Sequence, residues 1–226
     1  MKALPVAGRA SGVLVAGALA LATQGQAIAA ADPGVANGTV RFVDVAAAAG
    51  LAMRYENGAG GQKYMPEAMG SGAAFFDADG DGGLDLYIVN GGNLPGCQVE
   101  PAPVNTLYRN LGGGVFADVA PGLGLDNAFN SSAAAWADYD NDGDLDLYVA
   151  DFFDQDYLYQ SQDQGASFTE VGRRREMVNL IKQGSVTSAA WGDYDGDGHL
   201  DLYLGKYYYD NELYHNEGDG TLSLVL

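Results

Sequence analysis

Short apolar runs alternate with acidic, glycine-rich turns along the chain, and the pattern recurs three times. The runs at residues 84–89, 145–150 and 200–205 share the order Leu-Asp-Leu-Tyr, followed by aliphatic or small residues. Runs of this length, rich in aromatic and β-branched residues and bounded by Gly and Asp, are typical of β-strands. Because apolar residues occupy successive positions, we expect both faces of these strands to be buried. The pattern predicts an all-β fold.

A second apolar run precedes each of these strands, at residues 73–76, 134–137 and 189–192. The two runs of each pair are separated by an acidic turn of nine residues, named here loop 1 (77–85), loop 2 (138–146) and loop 3 (193–201). Two short strands joined by a glycine-containing turn indicate a β-hairpin. We therefore predict that each acidic loop is the turn of a hairpin.

The three loops carry Asp at positions 1, 3, 5 and 9 and Gly at position 6. Carboxylates at this spacing repel one another strongly unless a cation lies between them. Ca²⁺ accepts six to eight oxygen ligands in a tolerant geometry, whereas Mg²⁺ demands a stricter octahedron. Clustered Cys or His residues, which would suggest zinc, are absent from the sequence. The motif predicts about three calcium sites, and the alternative is a solvated acidic turn that binds nothing.

The predicted ligands are side-chain oxygens at positions 1, 3, 5 and 9, together with the backbone carbonyl at position 7. In loop 1 they are Asp77, Asp79, Asp81, Gly83 and Asp85; in loop 2, Asp138, Asp140, Asp142, Asp144 and Asp146; in loop 3, Asp193, Asp195, Asp197, His199 and Asp201. A carbonyl ligand explains why the side chain at position 7 varies. Glycine at position 6 allows the backbone to turn where a Cβ would clash.

An EF-hand also begins Asp-x-Asp-x-Asp-Gly, but its loop requires a bidentate Glu at position 12 and helices on both sides. Position 12 is Ile88, Val149 or Leu204 here, and the flanking runs indicate strands. The EF-hand is therefore rejected.

The duplication extends beyond the loops. With Phe42, Phe116, Phe168 and Leu222 taken as equivalent, the chain divides into three repeats, at about 42–115, 116–167 and 168–222. Each repeat contains about four short strands, which is the content of one propeller blade. Trp136 and Trp191, which align with Phe75, are then expected to pack between blades rather than to form a ligand cage.

Several segments resemble secreted proteins with FG-GAP or VCBS-type repeats, especially the bacterial relatives of cartilage acidic protein that carry an ASPIC/UnbV tail. The resembling segments are residues 42–45, 63–70, 72–92 and 105–110, and the two later copies extend the likeness to residue 220. The resemblance implies an integrin-α-like β-propeller with Ca²⁺ held in hairpin loops, of which this chain is the N-terminal part. It also implies a role in binding or adhesion rather than a defined reaction.

Three blades do not close a propeller, because closed propellers have 4–8 blades. An open arc leaves apolar faces and unpaired strand edges, through which copies of the chain can self-associate. Either the sequence is part of a longer propeller, or arcs from several chains complete a ring. We expect the first.

Residues 1–29 have the features of a secretory signal peptide. Lys2 and Arg9 supply the positive start, residues 13–22 the apolar core, and residues 27–29 a small-residue cleavage site. The apolar core is much shorter than the ~20 residues that span a membrane. We expect export, with residues 30–226 forming the partial propeller outside the cytoplasm, secreted, in a periplasm or at a cell surface.

Charge and chemistry limit the partners and activities that we expect. The formal net charge of −19 disfavours nucleic acid, whose phosphates require a basic surface. We expect an extracellular protein or glycan as partner. Nucleophile elbows, phosphate loops and zinc-hydrolase motifs are absent from the sequence, so we expect a non-enzymatic module. The alternative is a secreted enzyme or binding protein that acts on polysaccharide, with residues 56–69, including Tyr64, Pro66 and Glu67, as its best candidate site.

Overall fold

The structure is a computed structural model that describes residues 40–68, 70–94, 96–128, 130–153, 155–172 and 185–225. The chain divides into two units, Met1–Val43 and Asp44–Leu226, and every strand among the described residues lies in the second unit. The predicted signal peptide, residues 1–29, lies outside the described residues. Within those residues, no helix has the length and apolar character needed to cross a membrane.

Twelve strands form three antiparallel sheets of four strands each, as predicted. Blade 1 contains β1 (Ala73–Phe76), β2 (Asp85–Ile88), β3 (Thr106–Asn110) and β4 (Phe116–Asp118). Blade 2 contains β5 (Ser131–Ala137), β6 (Asp146–Asp151), β7 (Tyr157–Gln162) and β8 (Ser167–Glu170). Blade 3 contains β9 (Ser185–Gly192), β10 (Asp201–Tyr207), β11 (Glu212–Asn216) and β12 (Leu222–Leu224). Strands pair in chain order within each sheet, so the protein is all-β with propeller-type blades.

Each acidic loop joins the first two strands of its blade, which confirms the predicted hairpins. The last residue of the loop is also the first residue of the second strand. Asp85 lies opposite Phe76, Asp146 opposite Ala137, and Asp201 opposite Gly192. Loop length therefore fixes the register of each hairpin.

Phe116, Phe168 and Leu222 have the same place on the fourth strands, because they lie opposite Asn110, Ser161 and Asn216 of the third strands. The fourth strand completes the sheet of the hairpin that precedes it. The sheets therefore have different boundaries from the repeats 42–115, 116–167 and 168–222.

Residues 40–45 form no strand, so the equivalence of Phe42 with the other three residues stays a prediction. A fourth strand needs a third strand beside it. The described residues contain no strand before β1, so the segment around Phe42 has no sheet to join.

The core consists of two clusters, one on each side of blade 2. In β6, Leu147 and Val149 belong to the cluster shared with blade 1, whereas Tyr148 and Ala150 belong to the cluster shared with blade 3. All six residues of β6 are buried. The prediction that both strand faces are buried therefore holds for blade 2. It does not hold for β10, where Tyr203 is 44% exposed, since no described strand covers that face.

The tryptophans pack between blades, as predicted. Trp136 of β5 stacks on Phe76 of β1, with ring centroids 3.5 Å apart and planes at 20°. Trp191 of β9 packs on Tyr139 and Tyr148 of blade 2, with centroids 5.9 Å and 6.5 Å away. Phe75 has the same place in blade 1 and is 60% exposed. Each Trp thus joins its blade to the preceding one.

The segment before β1 packs along blade 1. The hydroxyl of Tyr108 in β3 accepts hydrogen bonds from the backbone N–H groups of Ala52 and Met53, at 3.0 and 2.7 Å. Two short helices, α1 (Met65–Ala68) and α2 (Ala120–Leu123), were not predicted. The helix α2 ends at Gly124, whose φ of 70° supplies the left-handed cap.

Candidate metal centres in the hairpin loops

The aspartate at position 9 is buried in every loop and joins two hairpins. In loop 1, Oδ2 of Asp85 accepts the N–H of Ala78, and Oδ1 accepts the N–H of Asn110 at the end of β3, at 2.9 and 2.7 Å. Asp146 binds Tyr139 and Ser161 in the same way, and Asp201 binds Tyr194 and Asn216. These aspartates are all 1% exposed. Position 9 therefore connects the loop to the third strand of its blade.

In loops 1 and 2 the aspartate at position 1 uses only one of its oxygens within the loop, whereas both oxygens of Asp193 in loop 3 accept backbone N–H groups. Oδ2 accepts the N–H of the position-6 glycine, from Gly82 to Asp77 and from Gly143 to Asp138, at 3.0 and 3.1 Å. Those glycines have φ values of 88° and 97°, which a residue with a Cβ rarely adopts. Oδ1 of Asp77 and Oδ1 of Asp138 are buried without a hydrogen-bond partner.

Positions 1, 3 and 9 converge in all three loops. One carboxylate oxygen from each of the three residues lies within 4.8 Å of the others. The groups are Asp77, Asp79 and Asp85; Asp138, Asp140 and Asp146; and Asp193, Asp195 and Asp201. The pKa of Asp146 is raised to about 8, because burial and the nearby Asp140 carboxylate raise it by more than the Ser161 N–H lowers it. Crowding of this kind favours a bound cation.

Position 5 has a different contact. Its Oδ1 accepts the N–H of position 7, from Gly83 to Asp81, from Asp144 to Asp142 and from His199 to Asp197, at 2.6, 2.9 and 2.8 Å. The position-5 aspartates of loops 1 and 2 stay outside the three-carboxylate groups, whereas Asp197 forms a second group with Asp195 and His215. At position 7, Oδ2 of Asp144 accepts the N–H of Gln164 at 3.0 Å.

A residue outside the loops also contacts position 3, and the sequence prediction omitted it. It lies on the third strand, directly before the residue whose N–H donates to the position-9 aspartate. In blade 1, Nε of Arg109 lies 3.0 Å from Oδ2 of Asp79, and in blade 2 the amide of Gln160 donates to Oδ2 of Asp140. In blade 3, Nδ1 of His215 lies 3.5 Å from Asp195. The sequence signal that could have identified these residues is their common position in the alignment of the three repeats.

The residues present fit a hard divalent cation. Each loop offers carboxylate oxygens from positions 1, 3 and 9, and two members of these groups, Asp77 and Asp138, each have a buried oxygen without a partner. An anionic oxygen buried without a hydrogen bond is costly. Oxygen ligands suit Ca²⁺, and the tolerant coordination of Ca²⁺ suits a site that is built from carboxylates and a turn backbone.

Neighbouring loops are in contact across the blades. Gly165, in the turn between β7 and β8, lies against loop 1, because a Cβ at this residue would be 2.2 Å from the carbonyl oxygen of Ala78. Between blades 2 and 3, Nδ2 of Asn216 donates to the carbonyl of Tyr139 at 2.7 Å, and Nδ2 of Asn141 donates to that of Gly198 at 3.2 Å. The three loops therefore form a row, in which the turn between β7 and β8 connects loop 1 to loop 2.

Glu67, the candidate residue for polysaccharide chemistry, has local contacts. Its Oε1 accepts the N–H of Tyr64 at 3.2 Å, and its carbonyl accepts the side-chain amide of Asn57 at 2.7 Å. Pro66 beside it is buried. These contacts stabilise the segment before β1 and its short helix.

Three sheets of this topology, joined by acidic hairpin loops, define a repeat protein built of propeller-type blades. Family comparison matches residues 77–149 and 138–204 to the FG-GAP-like repeat and residues 185–225 to the FG-GAP repeat. The chain belongs to the FG-GAP-like repeat family, since these matches span more than half of it. No curated protein matches the sequence.

Five solved chains match in a comparison of structures. One is a lectin from Agrocybe aegerita, described as recognising non-reducing terminal N-acetylglucosamine. It has 19% sequence identity and a TM-score of 0.37, and the match covers 68% of this chain and 36% of the lectin chain. The chain therefore spans about a third of the length of that protein.

Proposed function

We propose that the protein is a calcium-binding, non-enzymatic propeller segment that acts outside the cytoplasm as an interaction module. The observation that carries the proposal is the pair of buried oxygens without partners, Oδ1 of Asp77 and Oδ1 of Asp138, at the same position of two loops. Bound calcium would supply the positive charge that these groups lack. Extracellular calcium modules typically bind at about 10⁻⁴–10⁻³ M.

The residues of each loop have separable roles in this proposal. Position 9 holds the loop against the third strand through two backbone N–H groups. Position 1 of loops 1 and 2 offers an oxygen without a partner, and position 3 completes the group. The metal would rigidify the row of loops, so that their outer residues form a fixed surface for an extracellular protein or glycan. We infer export from the segment at residues 1–29, and the likeness to the ASPIC/UnbV relatives remains part of the proposal.

The experiment is a calcium titration by isothermal calorimetry, with Asp138→Asn as the variant and Asp163→Asn as its matched control. Asp163 is exposed in the turn between β7 and β8 and belongs to none of the carboxylate groups. We expect about three equivalents of calcium in the native protein and in the control, and one fewer in Asp138→Asn. Loss of no equivalent in Asp138→Asn, or no binding at all, would contradict the calcium proposal.

The interaction role is tested separately from the metal. A glycan panel and a binding screen of extracellular proteins are run alongside hydrolase and lyase assays, each with and without chelator. We expect binding that chelator reduces, without turnover. Turnover that Glu67→Ala abolishes would overturn the non-enzymatic assignment in favour of an enzyme acting on polysaccharide. Light scattering across a range of concentrations tests self-association through the exposed blade faces.

A further inference from the structure

We infer that one residue on the third strand of each blade sets the calcium affinity of the loop in that blade. It is the residue directly before the one whose N–H donates to the position-9 aspartate. As a result, loop 2 binds calcium more tightly than loop 1. The inference rests on the proposed calcium function. It assigns opposite effects to Arg109 and Gln160, because the charge of Arg109 weakens calcium binding and the neutral Gln160 does not. These residues occupy one place in two blades, on β3 and β7, directly before Asn110 and Ser161. Both reach the position-3 carboxylate, but only Arg109 is charged.

Loop 1 has a positive charge beside its position-3 carboxylate. Nε of Arg109 is 3.0 Å from Oδ2 of Asp79, within a loop whose positions 1, 3, 5 and 9 are all acidic. The Arg109 and Asp79 side chains are 31% and 18% exposed, so solvent screens this charge only in part. A guanidinium is always protonated. A divalent ion bound by Asp79 therefore meets a permanent positive charge at close range.

Loop 2 has a neutral side chain at the same place. The amide of Gln160 donates a hydrogen bond to Oδ2 of Asp140 and orients that carboxylate without adding charge. Loop 2 also has a fifth acid, Asp144, at position 7. Its carboxylate accepts the N–H of Gln164 and is not one of the predicted ligands, but as a nearby negative charge it attracts the cation. Both differences favour tighter binding in loop 2.

The size of the effect follows from Coulomb's law. A single charge about 5 Å from a divalent ion, in surroundings close to water, changes the binding free energy enough for about a tenfold change in affinity. The effect of Asp144 is separable from that of Arg109, because exchanging the two side chains leaves position 7 unchanged.

The test uses one amide reporter per loop. The N–H groups of Gly82 and Gly143 donate to position 1 of their own loops, and the N–H of Gly198 donates to Asp193 in loop 3. Calcium titrations of the ¹⁵N-labelled full chain, followed by two-dimensional NMR, give a separate midpoint for each glycine. The same spectra report whether each variant is folded.

The variants exchange the two side chains. We expect the midpoint of Gly143 to fall below that of Gly82 in the native protein. Arg109→Gln should lower the Gly82 midpoint about tenfold, and Gln160→Arg should raise the Gly143 midpoint about tenfold. Arg54→Gln and Gln98→Arg make the same charge changes in the segment before β1 and between β2 and β3, and should leave both midpoints unchanged.

Each outcome decides the inference. If all three glycines respond to calcium but the exchanged side chains move neither midpoint by more than about twofold, the inference fails and the calcium function stands. If Gly82 responds first in the native protein, the proposed order is wrong. If no glycine responds at calcium concentrations about ten times the ~1 mM upper range of extracellular sites, the inference and the proposed function fail together.

Discussion

The hydroxyl of Tyr148 donates a 2.6 Å hydrogen bond to Oδ2 of Asp156, while Oδ1 of the same carboxylate accepts the N–H of Asp151. Blades 1 and 3 have an amide at this place, Asn105 or Asn211, which makes the same contact with the end of the second strand. Burial raises the pKa of Asp156 to about 7. Blade 2 thus carries a titratable version of a contact that is neutral in its neighbours.

We predict that Asp156→Asn stabilises the protein above pH 7. The folded state keeps its proton up to about pH 7, whereas the unfolded chain releases it near the ordinary value of 3.8. The free energy of unfolding therefore falls as the pH rises between these values and is level above them. The variant removes that fall, worth on the order of 2–4 kcal/mol at pH 8.

Urea denaturation at pH 5 and pH 8, with calcium held constant, measures this difference. The exposed Asp210→Asn variant is the control and should show no pH-dependent gain. A loss of stability at pH 8 that equals the loss at pH 5 would show that the carboxylate of Asp156 is ionised in the fold at both values.

Positions 1 and 9 should respond differently to the removal of calcium. Asp146→Ala removes the acceptors for the N–H groups of Tyr139 and Ser161, so it should lower the free energy of unfolding by about 2–4 kcal/mol with or without chelator. Asp138→Asn should destabilise the protein only when calcium is present. Thermal unfolding in both conditions compares them, and equal behaviour of the two variants would refute separate roles.

The stacking of Trp136 on Phe76 should be a main support of the contact between blades 1 and 2. Trp136→Ala should cost about 3–5 kcal/mol, because it opens a cavity between the blades. Phe75→Ala changes the equivalent aromatic residue of blade 1, which is 60% exposed, and should cost less than about 1 kcal/mol. Denaturant melts of both variants test the comparison, and similar losses would argue against an interblade role.

Gly165 should be required for the contact between blade 2 and loop 1. Gly165→Ala places a Cβ 2.2 Å from the carbonyl oxygen of Ala78, on a residue whose φ is 72°. Gly196→Ala is the matched control, since its φ is 81° and its Cβ would meet no atom within 4 Å. Both variants should lose about 1 kcal/mol from backbone strain, and Gly165→Ala should lose more. Chemical unfolding measures the difference in free energy of unfolding between the two variants. Equal losses would show that loop 1 moves to accommodate the added Cβ at little cost.

The sequence predicts those parts of the fold that depend on local spacing. The alternation of apolar runs and acidic turns gave the three hairpins, and the repeated tryptophans gave the packing between blades. The equivalence of Phe42 stays a prediction, because strand pairing depends on a neighbouring sheet, which a local motif does not reveal. Burial of both faces of β10 failed for the same reason, as Tyr203 has no described strand over it.

The candidate sites show the same division. The loop spacing brought positions 1, 3 and 9 together, but it did not distinguish them from position 5, whose carboxylate accepts an N–H within the loop. The role of Arg109 and Gln160 was hidden because they are 30 and 20 residues from the aspartates that they contact, on another strand. Tertiary structure is needed to identify such contacts.

Asp85, Asp146 and Asp201 each end a loop and begin a strand, and this overlap has an evolutionary consequence. Insertion or deletion of one residue in a loop would displace the carboxylate and also turn the following strand over, exposing the residues that now face a neighbouring blade. Point substitutions at positions 2, 4 and 7 carry no such penalty. Divergence of these repeats should therefore proceed by replacement within loops of constant length, and changes in length should accumulate between the second and third strands.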